Sequence, residues 1–149
     1  MKKQKGFSLI ELLIVVAIIS IIAAIAVPGL LRARMTGNET SAIASLKVTT
    51  SSQVAYSAAC GNGGYASGFI VLGTPPTAGG EGFISADLGT AASPQKSGYN
   101  FTLAAGAGSS AGPNDCLGTA TITAYYGTAV PQTNGTTGTR SFAAWTSDT

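Results

Sequence analysis

A single carboxylate stands inside an otherwise apolar run. Over residues 7–31 the only polar side chains are Ser8, Glu11 and Ser20. Wound as an α-helix at about 1.5 Å per residue, the run covers roughly 37 Å, enough to cross a hydrocarbon core of about 30 Å. An ionised acid at that depth costs roughly 3 kcal/mol on the lowest scales, so Glu11 calls for a partner.

Basic residues flank the run, with Lys2, Lys3 and Lys5 before it and Arg32 and Arg34 after it. The positive-inside rule puts the short N-terminal tail in the cytoplasm and the rest of a single-pass chain outside, with both arginines at the far interface. A secretory signal peptide shares the basic head and the apolar stretch. The run here exceeds a signal core of about 7–15 residues and carries an acid near its start. A plain transmembrane anchor accounts for the length but leaves Glu11 without a partner.

The segment Lys5-Gly6-Phe7-Ser8-Leu9-Ile10-Glu11-Leu12-Leu13-Ile14 resembles the processing site of type IV prepilins and the related pseudopilins. The resemblance covers the leader and the first helix; beyond Thr50 that family diverges too far to inform. It implies that a prepilin peptidase cuts after Gly6, that the new amino terminus on Phe7 is methylated, and that Glu11 serves assembly. It also implies an α+β, pilin-like fold, with a long N-terminal helix packed against a small antiparallel β-sheet head. Electrostatics makes the chemistry reasonable. Cleavage creates an α-amino group in apolar surroundings, and Glu11 of a neighbouring copy can neutralise it, two charges costly alone becoming tolerable together. Four residues apart on one helix, the same groups can also meet within one subunit, and both geometries stay open.

Eight basic residues face six acidic ones; loss of Lys2, Lys3 and Lys5 leaves five against six and moves the formal charge from +2 to −1. The remaining cations, Arg32, Arg34, Lys47, Lys96 and Arg140, form no dense cluster, so no specific nucleic-acid partner is expected.

The helix is expected to continue to Ala59. Residues 38–59 lack proline, and Ile43, Leu46, Thr50, Gln53 or Val54, and Ser57 recur at spacings of three and four. Cys60-Gly61-Asn62-Gly63-Gly64 then supplies residues that tolerate positive φ and stop it. Such a helix would measure near 80 Å, more than a head of about ninety residues can cover. Pro28 and Gly29 interrupt it and are expected to form a flexible joint, with Gly37 a second weak point.

Beyond Gly61 the chain turns to Gly, Ala, Ser and Thr. Residues 69–72, 83–84, 99–103, 119–126 and 140–145 are enriched in β-branched and aromatic side chains, and the last three segments alternate as strands do. Residues 106–113 and 131–138 read as loops. Three antiparallel strands across the C-terminal half of the helix are expected, with Ile43, Leu46 and Val54 as the helix side of the core. The domain reading is a cleaved leader at 1–6, a membrane and assembly half of the helix at 7–31, its head half at 32–60, and a β head at 61–149.

Cys60 and Cys116 are the only cysteines, and the topology places both outside the cytoplasm, where a disulfide forms readily. Two free buried thiols are the alternative. A bond from helix end to sheet would depart from the family, whose disulfides often lie wholly in the C-terminal region.

Nothing in the chain reads as catalytic. Histidine is absent, which removes the usual general base and commonest metal ligand. Glu81, Asp87, Asp115 and Asp148 are scattered without ligand spacing, and no cofactor or metal is expected. The aromatics fit a sheet core or interface better than an electron path. The expected function is therefore structural: a type IV pilus subunit, held in cytoplasmic membrane lipid, handled by the pilus assembly machinery, and polymerised with itself into an extracellular filament for adhesion, twitching motility or DNA uptake. A major pseudopilin of a type II secretion system is the alternative within the superfamily. Its calcium loop would have to draw on Asp115, Asp148, Asn114 and carbonyl oxygens. A membrane-tethered binding module is the alternative outside it.

Overall fold

The computed structural model describes residues 6–146, so Lys2, Lys3 and Lys5 of the expected leader, and Asp148, lie outside the described residues. The chain divides into two compact units, Met1–Arg34 and Met35–Thr149.

Helix α1 runs Leu9–Ala59, starting two residues later than expected. Ser8, a residue type suited to helix starts, takes the N–H groups of Glu11 and Leu12 on its carbonyl at 3.1 and 3.3 Å. No break appears at Pro28; the helix passes through it, although proline has no N–H to offer the carbonyl of Ala24. Hydroxyls along the helix bond back one turn, as Ser20 does to Val16 O at 2.8 Å and Thr49 to Ser45 O at 2.9 Å. The end follows the sequence reading. Tyr56 O accepts from Cys60 and Gly61, and Gly63 N donates to Ser57 O, a reversal that needs Asn62 at φ 50° and Gly63 at φ 89°.

Within the second unit the buried face of α1 is Glu39, Ala42, Ser45, Leu46, Thr49, Ser52, Gln53 and Tyr56. This corrects the expected stripe. Leu46 is buried, but Ile43 is 36% and Val54 59% exposed. The observed face also repeats every three to four residues, but it is built largely from small and polar side chains. These let loops approach the helix closely and supply hydrogen bonds to them, so a search for apolar positions finds Leu46 but misses most of this face.

Two short helices, α2 Phe69–Gly73 and α3 Ala86–Gly89, follow, and the β-prone residues 69–72 are helical. Phe69 and Leu72 are buried there, and tertiary burial overrides intrinsic preference. The main sheet has four antiparallel strands in the order β1 (Gln95–Lys96), β2 (Tyr99–Ala105), β5 (Tyr125–Pro131), β6 (Phe142–Trp145). A separate two-stranded ribbon joins β3 (Ala111–Asn114) to β4 (Ala120–Ile122). The three-strand expectation is thus corrected twice. Residues 119–126 are not one strand: β4 pairs with the ribbon, and the chain bends through Thr123 and Ala124 before β5. The stretch expected as a loop before Asp115 contributes β3, whose Pro113 is tolerated on a ribbon with free edges.

Tyr99, Phe101 and Leu103 of β2 and Tyr125 and Ala129 of β5 point inward onto Ala42, Leu46 and Tyr56 of α1 and Phe69, Leu72 and Leu88 of the intervening segment. Edge-on ring contacts, Tyr56 with Phe83 at 5.4 Å and Tyr65 with Tyr125 at 5.1 Å, lock helix and loops to the sheet.

Candidate functional site

The residues expected to carry processing and assembly lie together at the start of the first unit. Gly6 and Phe7 precede α1 and are exposed, and Glu11 sits in its first turn, where the positive end of the helix favours a carboxylate. In the uncut chain the nitrogen of Phe7 is a peptide amide, so the amine expected to pair with Glu11 exists only after cleavage. A Cβ built on Gly6 meets nothing within 4 Å, and neither does one on Gly29. Packing within the chain therefore requires glycine at neither position.

From Leu9 to Leu31 every large aliphatic side chain of α1 is exposed. Among the described residues α1 is the one helix long and apolar enough to cross a membrane. A continuous apolar surface of this extent is unstable in water and must be covered by lipid or by protein.

Among the links that hold the loops of the second unit to α1 and its C-terminal end are four built around Glu39, Gln53, Tyr56 and Cys60, three of which spacing alone did not reveal. Glu39 gathers both faces of the loop after β5: Arg140 Nε and Nη2 donate to Oε2, while Thr139 N–H and hydroxyl donate to Oε1. The backbone N–H of Thr139 first, and Arg140 next, hold the Glu39 carboxyl at about 2 against an ordinary 4.5. Gln53, fully buried, donates to Ala66 O at 2.9 Å and accepts from Ala66 N at 2.8 Å. Tyr56 donates to Asp115 Oδ2 at 2.7 Å, and Asp115 Oδ1 accepts from Leu117 N and Thr119 N. Burial works against the Asp115 carboxylate, yet these donors hold its pKa below the ordinary value. The fourth link was expected. Cys60 and Cys116 form a disulfide with Cα atoms 4.9 Å apart, and Cys116 N–H donates to Cys60 O at 2.8 Å. Asp115 thus joins α1, through Oδ2, to the turn that carries Cys116, through Oδ1.

Among the described residues no group of three or more His, Cys, Asp or Glu is placed to hold a metal ion. Asp87 instead pairs with Lys96 at 2.6 Å.

Residues 1–27 match the family described as the prokaryotic N-terminal methylation motif. The chain carries a prokaryotic N-terminal methylation motif. The match falls on the stretch containing Gly6, Phe7 and Glu11, and the α+β arrangement behind it is pilin-like. Over 40 residues the chain is 60% identical to the type IV wide pilus major component of Thermus thermophilus, covering 27% of this chain and 30% of that one. Over 28 residues it is 79% identical to a fimbrial protein of Pseudomonas aeruginosa, covering 19% and 18%. The chain thus matches less than a third of the length of these relatives. No solved structure matches it.

Proposed function

We propose that this chain is the precursor of a type IV pilus subunit. Prepilin peptidase removes residues 1–6, Phe7 is N-methylated, and the apolar part of α1 waits in the cytoplasmic membrane with its N-terminus inward. The pilus machinery then packs it with copies of itself into an extracellular filament. The observation that carries the reading is the uncovered apolar face of residues 9–31, with one acid in its first turn, behind a motif shared with pilins. Glu11 is the assembly residue: its carboxylate neutralises the Phe7 amine of a neighbouring copy and sets the register. Gly6 supports this assignment, because no contact within the chain requires a glycine there. Pro28 and Gly29 are the place where α1 loosens on packing, since one backbone hydrogen bond is already missing there.

The test is to shear cells, sediment the fibres and weigh the subunit. Fibres whose subunit begins at a methylated Phe7, and which fail to form with Glu11→Ala, are expected. Residues 1–6 retained in every copy, or unimpaired fibre formation by Glu11→Ala, would sink the reading. Filaments that stay within the envelope and a head that folds only with calcium would point to the secretion pseudopilin instead.

A further inference from the structure

The outward face of strands β2, β5 and β6 is built without a charge. Strands β2, β5 and β6 contain no Asp, Glu, Lys or Arg, and their alternation leaves Thr102, Tyr126, Thr128, Val130 and Trp145 facing away from the core. The register sets Tyr126 opposite Trp145. Their rings lie 6.4 Å apart at an interplanar angle of 27°, yet remain 44% and 62% exposed. Rings of this size left in water contribute nothing to the buried core. Beside them is a cavity of about 230 Å³, lined by Tyr126, Trp145, Gly106, Ala107, Ala124 and Thr146 among others, and none of its lining residues is charged. One cross-strand pair further along, the hydroxyls of Thr102 and Thr128 lie 2.6 Å apart on the same face.

The geometry points to a binding site for a neutral sugar at Tyr126 and Trp145. The apolar C–H face of a pyranose is electron-poor and fits the negative face of an aromatic ring. Its hydroxyls require neutral donors and acceptors, which the Tyr126 hydroxyl, the Trp145 indole N–H and the threonine pair provide. The cavity is close to the volume of one such ring. Among the described residues of the lining an anionic ligand finds no cation and a basic one no carboxylate, which favours an uncharged ligand. A second copy of the chain laid on this face is the competing occupant.

Trp145 is the sole tryptophan, so emission excited beyond the tyrosine absorption band reports on this site alone. The full chain, in micelles of a zwitterionic detergent without a sugar headgroup, is titrated with maltotriose, cellotriose, lactose and triacetylchitotriose. A saturable emission shift is expected with at least one of them, unchanged between about 0.05 and 0.5 M salt. Tyr126→Ala should weaken it about tenfold, and calorimetry should show a comparable loss for Trp145→Ala. Both side chains are exposed, so the variants should keep the wild-type circular dichroism spectrum. No saturable response to any of the four sugars, or binding that survives both substitutions, overturns the assignment. So does a Trp145 that becomes shielded from acrylamide on assembly without sugar, because that gives the face to a second copy. The titration uses unassembled chain, so its outcome is independent of whether filaments form.

Discussion

Glu39 and Arg140, 101 residues apart in sequence, meet in a forked ion pair, with Nε and Nη2 of the guanidinium 2.8 and 2.6 Å from Glu39 Oε2. The carboxylate is buried and the arginine exposed, so the helix presents the fixed charge and the loop closes over it. With Asn38 Nδ2 donating to Thr137 O at 2.9 Å, the pair ties the whole β5–β6 connection to one turn of α1.

That pair makes the head sensitive to acid. The Glu39 carboxyl sits at about 2 when folded and near 4.5 when free, so the folded state binds its proton less tightly. Its contribution to stability is complete above about pH 4.5 and disappears as the pH falls towards 2. Glu39→Gln should therefore unfold at lower denaturant than wild type at pH 7, with the two curves converging near pH 2. Urea titrations at several pH values check this; a gap that stays constant with pH would contradict it.

Gln53 satisfies both backbone groups of Ala66 in a site closed to water. Gln53→Leu keeps a similar volume but leaves a buried N–H and C=O unpaired, at a cost of roughly 3 kcal/mol. Equilibrium unfolding of the two proteins measures the difference. A loss below about 1 kcal/mol would mean that water or another side chain takes over the bonds.

Tyr56→Phe deletes one hydroxyl and its bond to Asp115. A hydrogen bond to a charged acceptor sets the expected loss at about 2 kcal/mol. The Tyr56 hydroxyl is itself held neutral to higher pH than usual, by burial first and by Asp115 second. Ultraviolet titration of the phenolic absorbance should accordingly lose, in the variant, a component that ionises above the ordinary tyrosine range.

The disulfide closes a separation of 56 residues between the helix end and the ribbon. Constraint of the unfolded chain by a loop of that length is worth roughly 4 kcal/mol. Cys60→Ser with Cys116→Ser should lower the unfolding midpoint, and adding reductant should move the wild type to the same place. A double variant as stable as the oxidised protein would show that the Tyr56–Asp115 turn suffices.

Much of the architecture could be read from residue order. A stop at Cys60-Gly61-Asn62-Gly63-Gly64 was legible because several adjacent residues tolerate positive φ, and the Cys60–Cys116 bond because the chain offers no other pairing. The helix face was partly misassigned: Leu46 and Gln53 belong to it, but Ser45, Thr49 and Ser52 are buried as small or polar residues, which apolar spacing cannot detect. Residues 119–126 looked like one strand because alternation persists through a bend, while pairing partners decide where a strand divides. Glu39 and Arg140 gave no signal, since neither has a motif around it and only folding brings them together.

Local order along the chain determined the character of the first unit: the apolar run, its lone acid and the methylation motif are contiguous, and they need no folding to be recognised. The tertiary structure alone decided which side of α1 faces the sheet, which loops it clamps, and that Tyr126 and Trp145 share an outward face. Those outcomes depend on hydrogen bonds and contacts between residues far apart in the chain, which exist only once the strands have found their register.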